Sequence, residues 1–137
     1  MTNSNLSITE NKSLITQAKM LKRQQTDMRN LAALEQKINE MPLVDAILAK
    51  QLHHLVTNIA PNLQAKTWYG MPAYTNDDKK IIFFFQPAAK FSARYASIGF
   101  NDTANLDNGD FWPTTFAIKT WTPHVAKQVE NLIRTAL

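Results

Sequence analysis

Cysteine is absent from the chain, so disulfides, thiolate metal centres and cysteine nucleophiles are all excluded. Only three glycines occur in 137 residues, and they form no glycine-rich phosphate loop. Ser92 and Ser97 sit in no Gly-x-Ser-x-Gly elbow, so a nucleophilic serine has no sequence support. Long apolar runs are missing too. Nothing approaches the roughly 18 residues of a membrane span, and Met1 to Glu10 is polar rather than signal-like. A cytoplasmic protein with no membrane partner is expected. Nor is charge of one sign concentrated along the chain. The net charge is +4, with six Lys/Arg against four acids in residues 1–41 and nine against seven in residues 42–137. That even spread argues against nucleic acid as a partner, because phosphate backbones select a one-sided basic surface.

What is present suits one globular core, with 45% hydrophobic and 19% charged residues. Thr9 to Met41 contains neither glycine nor proline and reads as a long helix. Leu14, Ala18, Leu21, Met28, Leu31, Leu34 and Ile38 give it a thin apolar stripe. Such a helix packs on its own domain or pairs with a partner helix, the second option giving a homodimer. Residues 1–41 are therefore read as a helical extension and 42–137 as the main domain. Pro42 starts a second helix whose broad apolar face takes in Val44, Ile47, Leu48, Leu52, Leu55, Val56 and Ile59. Pro61 stops it.

The remainder reads mostly as sheet. Leu63 to Tyr69 alternates as a half-buried strand, with Gly70 and Pro72 interrupting regular pairing. Thr75-Asn76-Asp77-Asp78 is a turn, and Lys79 to Gln86 is the return strand of a hairpin. Ile81 to Phe85 has no polar alternate position, so it is expected at the centre with both faces covered. Arg94 to Phe100 is a further strand, Asn101 to Gly109 a loop, and Phe111 to Lys119 an edge strand broken by Pro113. Thr122-Pro123 caps a last helix with Val125, Val129, Leu132, Ile133 and Ala136 on one face. Helices segregated from a run of strands define an α+β layer architecture.

Trp68-Tyr69-Gly70-Met71-Pro72-Ala73-Tyr74 is the densest signature in this pattern. With Phe84-Phe85-Gln86, Lys90-Phe91, Arg94-Tyr95-Ala96, Gly99-Phe100, Ala104-Asn105-Leu106-Asp107 and Trp112-Pro113-Thr114, it resembles the YdhG-like family of small bacterial proteins from Met41 onward. The resemblance implies a frataxin-like fold, an antiparallel sheet of four to five strands with helices on one face, here preceded by the long N-terminal helix. It also implies a role in iron handling, since one branch of that family has been proposed as an iron chaperone. Iron sites need clustered oxygen ligands, and Asp45, Asp77 and Asp78 are the acids this chain offers in the corresponding places.

Three sets of residues are candidates for a site. Trp68, Tyr69, Met71, Tyr74, Phe91, Tyr95 and Trp112 supply apolar and aromatic walls for a pocket, with Lys90 and Arg94 able to hold an anionic group. The plainer alternative is that these rings are core. The loop of Asp102, Asn105, Asp107 and Asp110 lacks the spacing of a calcium loop. His53 and His54 are adjacent on a helix, about 100° apart, and cannot chelate one ion together. The expected function is a non-enzymatic domain that binds a small anionic or metal ligand at the aromatic cluster, with iron by resemblance. A protein-interaction module acting through the first helix, or a small-molecule enzyme without a recognisable motif, are the alternatives.

Overall fold

The computed structural model describes residues 7–137. Helix α1 (Ile8–Asn39) and helix α2 (Leu43–Ile59) precede five strands, β1 (Gln64–Trp68), β2 (Met71–Thr75), β3 (Ile81–Gln86), β4 (Ala96–Phe100) and β5 (Thr115–Ile118). Helix α3 (Pro123–Ala136) closes the chain, and a single 3₁₀ turn (Ala89–Phe91) lies between β3 and β4. The sheet is an antiparallel meander in the order β1-β2-β3-β4-β5. The expected α+β fold is therefore present, with the apolar run of β3 at the centre.

Helix α1 begins at a capping box. Ser7 Oγ accepts from the Glu10 amide at 3.1 Å, and the Ser7 amide donates to the Glu10 carboxylate at 3.2 Å. At 32 residues it is about 48 Å long, more than the small sheet can cover. Each of residues 7–26 is exposed, Leu21 being 61% accessible, and Met28 beyond them is 70% accessible, whereas Leu34 and Ile38 are inside the core shared with α2. The second half of α1 thus belongs to the domain's own core.

Most of the expected face of α2 is buried, Leu48, Leu52 and Val56 fully and Leu55 and Ile59 in part. Val44 and Ile47 are exposed, and Ala46, Leu48, Ala49, Leu52 and Val56 are buried. Alanines at 46 and 49 let the first turns of the helix approach their neighbours closely, which leaves Val44 and Ile47 outside. Asp45 is buried at the first turn of α2, where its carboxylate accepts from the Ala88 and Ala89 amides at 3.0 and 3.1 Å. That anchors the helix to the connection after β3.

The stretch expected to interrupt pairing is instead a tight hairpin. Tyr69 and Gly70 both have positive φ, 50° and 75°, as the two-residue loops that match strand twist require. Trp68 therefore pairs with Met71, and Thr67 with Pro72. Pro72 is accommodated inside the sheet because the pair closing such a loop carries the hydrogen bonds, leaving the next position unbonded. The ladder to β3 starts only at Ala73.

Register then sorts the side chains. Ala65, Tyr74, Phe83 and Phe100 form one row across β1 to β4, and Tyr74, Phe83 and Phe100 are buried with the helices' apolar residues. Lys66, Ala73, Phe84, Gly99 and Thr115 form the neighbouring row on the opposite face. There Phe84 lies over Gly99, whose missing side chain would meet the ring at 2.5 Å. The outer face of β3 is thus only half-covered, by its own ring and by Trp68 at 5.1 Å between centroids, rather than by a second layer.

Replacing Leu34 by Ala is expected to cost about 3 kcal/mol, whereas Leu14→Ala should stay within about 0.5 kcal/mol of the parent. Urea denaturation midpoints measure both. Equal effects would contradict the division of α1 into a core half and an exposed half.

Candidate functional site

The nine residues expected to converge on one pocket do not do so. β1 ends and β2 begins at the end of the sheet where β3 ends and β4 begins, so Trp68, Tyr69 and Met71 share that end with Lys90, Phe91, Arg94 and Tyr95. Trp112 precedes β5, which starts beside the far end of β4, a strand length of roughly 17 Å away. Tyr74 is three residues from Met71 in one strand, so the pleat turns it to the opposite face. Sequence proximity could not reveal either separation.

At the hairpin end the residues are a surface more than a cavity. Tyr69 is 77% exposed and Phe91 54%, while Met71 is buried in the sheet. Lys90 Nζ reaches over the turn to within 3.3 Å of where a side chain on Gly70 would begin, and lies 5.9 Å from the Phe91 ring centre. Arg94 stacks on Tyr95 at 5.2 Å.

A larger cavity lies elsewhere. A groove of about 1140 Å³ runs between β5, α3 and the loop from Leu106 to Pro113. Phe100, Phe116 and Ile98 make its floor, Val125 and Leu132 of α3 one wall, and Leu106 with Trp112 the other. Of the nine expected residues only Trp112 lines it. The loop is tied to the end of α3, the Asn105 amide donating to the Ala136 carbonyl at 3.0 Å, which uses Asn105 structurally. The sequence did hold a signal for this groove. The apolar face of α3 reaches from the core to the groove: Val129, Ile133 and Ala136 are buried, and Val125 and Leu132 are partly buried on the groove lining.

The third boundary is the backbone of β5. The Phe100 amide donates to the Thr114 carbonyl at 2.8 Å, and β4 and β5 pair in step from there, Ile98 with Phe116 and Ala96 with Ile118. Hydrogen-bonded and non-bonded pairs alternate, so the amide and carbonyl groups of Thr115 and Ala117 point away from β4. Both residues line the groove. Apolar walls and outward backbone groups therefore face the same space.

An aromatic row links this groove to β2 along the same face of the sheet. Phe116 meets Phe100 edge-on at 5.9 Å, Phe100 meets Phe83 at 5.6 Å, and Phe83 stacks on Tyr74 at 4.9 Å. Tyr74 ends the row with its hydroxyl 3.0 Å from His53 Nδ1, beside a cleft of about 140 Å³. Burial pushes the Tyr74 phenol well above its ordinary 10.0. It also lowers His53 below its ordinary 6.5, an effect that Glu35 opposes and His54 reinforces. A neutral imidazole can accept the Tyr74 proton at Nδ1, so both shifts favour the same bonded pair.

Asp45, the acid of α2, is already engaged by two amides, and Asp77 stands 3.6 Å from Arg23. Among the described residues no three His, Asp or Glu side chains are grouped to hold a metal ion, and no helix is long and apolar enough to cross a membrane. The chain matches no family model, no curated protein and no solved structure.

The His53–Tyr74 pair sets a pH dependence of stability. Below 6.5 the unfolded chain takes up a proton that folded His53 refuses, so this contribution is complete above about 6.5 and is lost as pH falls toward the folded value. Above 10.0 the unfolded chain releases a proton that folded Tyr74 keeps, so stability falls as pH rises past that point. His53→Gln is expected to flatten the acid side of the profile relative to the parent, and Tyr74→Phe the alkaline side, the latter at a cost of about 1 kcal/mol at neutral pH. Urea midpoints measured from acid to alkaline pH test both.

Proposed function

We propose that this protein is a non-enzymatic binding domain whose ligand is small and largely apolar, held in the groove between β5 and α3. The observation that carries the reading is the combination in one space of aromatic and aliphatic walls with the outward backbone groups of Thr115 and Ala117. Ligand sites are usually concave and mostly apolar, with a few polar groups that orient the molecule. Here those groups are a strand edge, which favours a ligand with alternating donors and acceptors along one side.

A second reading places a small anionic ligand at the hairpin end. Lys90 and Arg94, with the exposed rings of Tyr69 and Phe91, favour it. An iron-handling role rests on the family resemblance alone, and the acids it would call on are spread over α2 and the β2–β3 turn.

Nile red, a neutral apolar dye, separates the two sites. Leu132→Arg puts a charge on the groove wall and is expected to weaken dye binding at least about tenfold, an unpaired charge on an apolar wall costing more than 1.4 kcal/mol. Trp68→Ala at the hairpin end should leave dye binding unchanged. Loss of binding in Trp68→Ala but not in Leu132→Arg would move the site to the hairpin.

A further inference from the structure

The charge that is evenly spread along the sequence is gathered in space. A crevice of about 540 Å³ lies where the first half of α1 passes β1 and the β2–β3 turn. Lys19, Lys22 and Arg23 line it from the helix, Lys66 from β1 and Lys79 from the turn, with Asp27 the one acid among them. Five of the chain's 15 Lys/Arg and one of its 11 Asp/Glu therefore meet in one place. Among the described residues Lys19, Lys22, Lys66 and Lys79 have no carboxylate within ion-pair distance, and Arg23 has only the exposed Asp77 at 3.6 Å. Like charges lining one crevice favour an anion there.

The turn that carries Lys79 fixes its position on the crevice lining. Lys79 has φ 62°, a conformation that glycine or asparagine adopts at less cost. The turn holds it there, the Lys79 amide donating to the Asn76 carbonyl at 3.0 Å while Asn76 Oδ1 accepts from the Asp78 and Lys80 amides. A lysine stands where glycine would relieve the backbone, and it lines the crevice.

We infer that this crevice binds a compact anion carrying several phosphate groups in a row. The lining contains no aromatic ring, so it offers no platform for stacking bases as single-stranded nucleic acid sites do. The five basic side chains instead suit a short chain of phosphates, which carries several anionic oxygens in one compact group.

The test is calorimetric titration of the full chain with inorganic tripolyphosphate at about 0.15 M salt, where the screening length is roughly 8 Å. Tripolyphosphate is expected to bind at least about tenfold more tightly than orthophosphate, each charged contact being worth on the order of that factor. Lys79→Gly removes the charge and relieves the turn. It should weaken tripolyphosphate binding about tenfold while leaving the denaturation midpoint unchanged or raised. Lys22→Glu should abolish binding. Lys119→Glu changes net charge equally but follows the opposite edge strand, about 19 Å across the sheet, and should have no effect. Absence of tripolyphosphate binding, equal losses in Lys119→Glu and Lys22→Glu, or tighter binding of a thymidine oligonucleotide through the same residues would each overturn the inference.

Discussion

The two-residue turn at Tyr69–Gly70 is the constraint on which the rest of the sheet depends. Its positive φ values close β1 onto β2 with Trp68 opposite Met71. Because side chains alternate with a period of two, a slip of one residue would exchange the faces of the strand. In the observed register Tyr74 falls in line with Phe83 and Phe100 under the helices, and Trp68 falls on the open side against Phe84. Gly99 completes the outer row, since only the absence of a side chain there admits the Phe84 ring.

On the inner face the aromatic row from Tyr74 to Phe116 spans the sheet beneath α2 and α3. It connects two environments with different chemistry. At one end Tyr74 and His53 satisfy each other in a partly dry setting that shifts both proton affinities. At the other end the row runs into a groove that the helices leave uncovered. The two edges of the sheet differ accordingly: β1 lies against α1, while β5 exposes part of its backbone to the groove. An uncovered strand edge is a liability for most domains, and its shortness here, four residues, limits that exposure.

Much of the fold was legible in the sequence because its elements carry their own local signals. Proline at 42 and 61 bounded α2, Thr122-Pro123 opened α3, and the unbroken apolar run of β3 marked the centre. The hairpin at Tyr69–Gly70 was hidden because tyrosine is an unusual residue for a left-handed position, so the strand was read one residue too far. At the start of α2 the contact face takes in Ala46 and Ala49 in place of Val44 and Ile47, because small residues permit close approach. The aromatic cluster looked like a site because its members are close in sequence or lie near strand ends. Alternation and strand direction then sent Tyr74 to the other face and Trp112 to the other end.

By itself the sequence determined the kinds of element, their order and the exclusion of thiol chemistry, because each follows from residues within a turn or two of one another. The tertiary structure alone decided which surfaces meet. The groove is made by β5, α3 and a loop that no local pattern joins. The basic crevice unites Lys19, Lys22 and Arg23 with Lys66 and Lys79 across more than forty residues of chain. Charge summed along the chain appeared even, since such a sum takes no account of which segments fold against each other. Around Trp68–Tyr74, the same distinction separates a recognisable string of residues from the two faces on which its side chains finally lie.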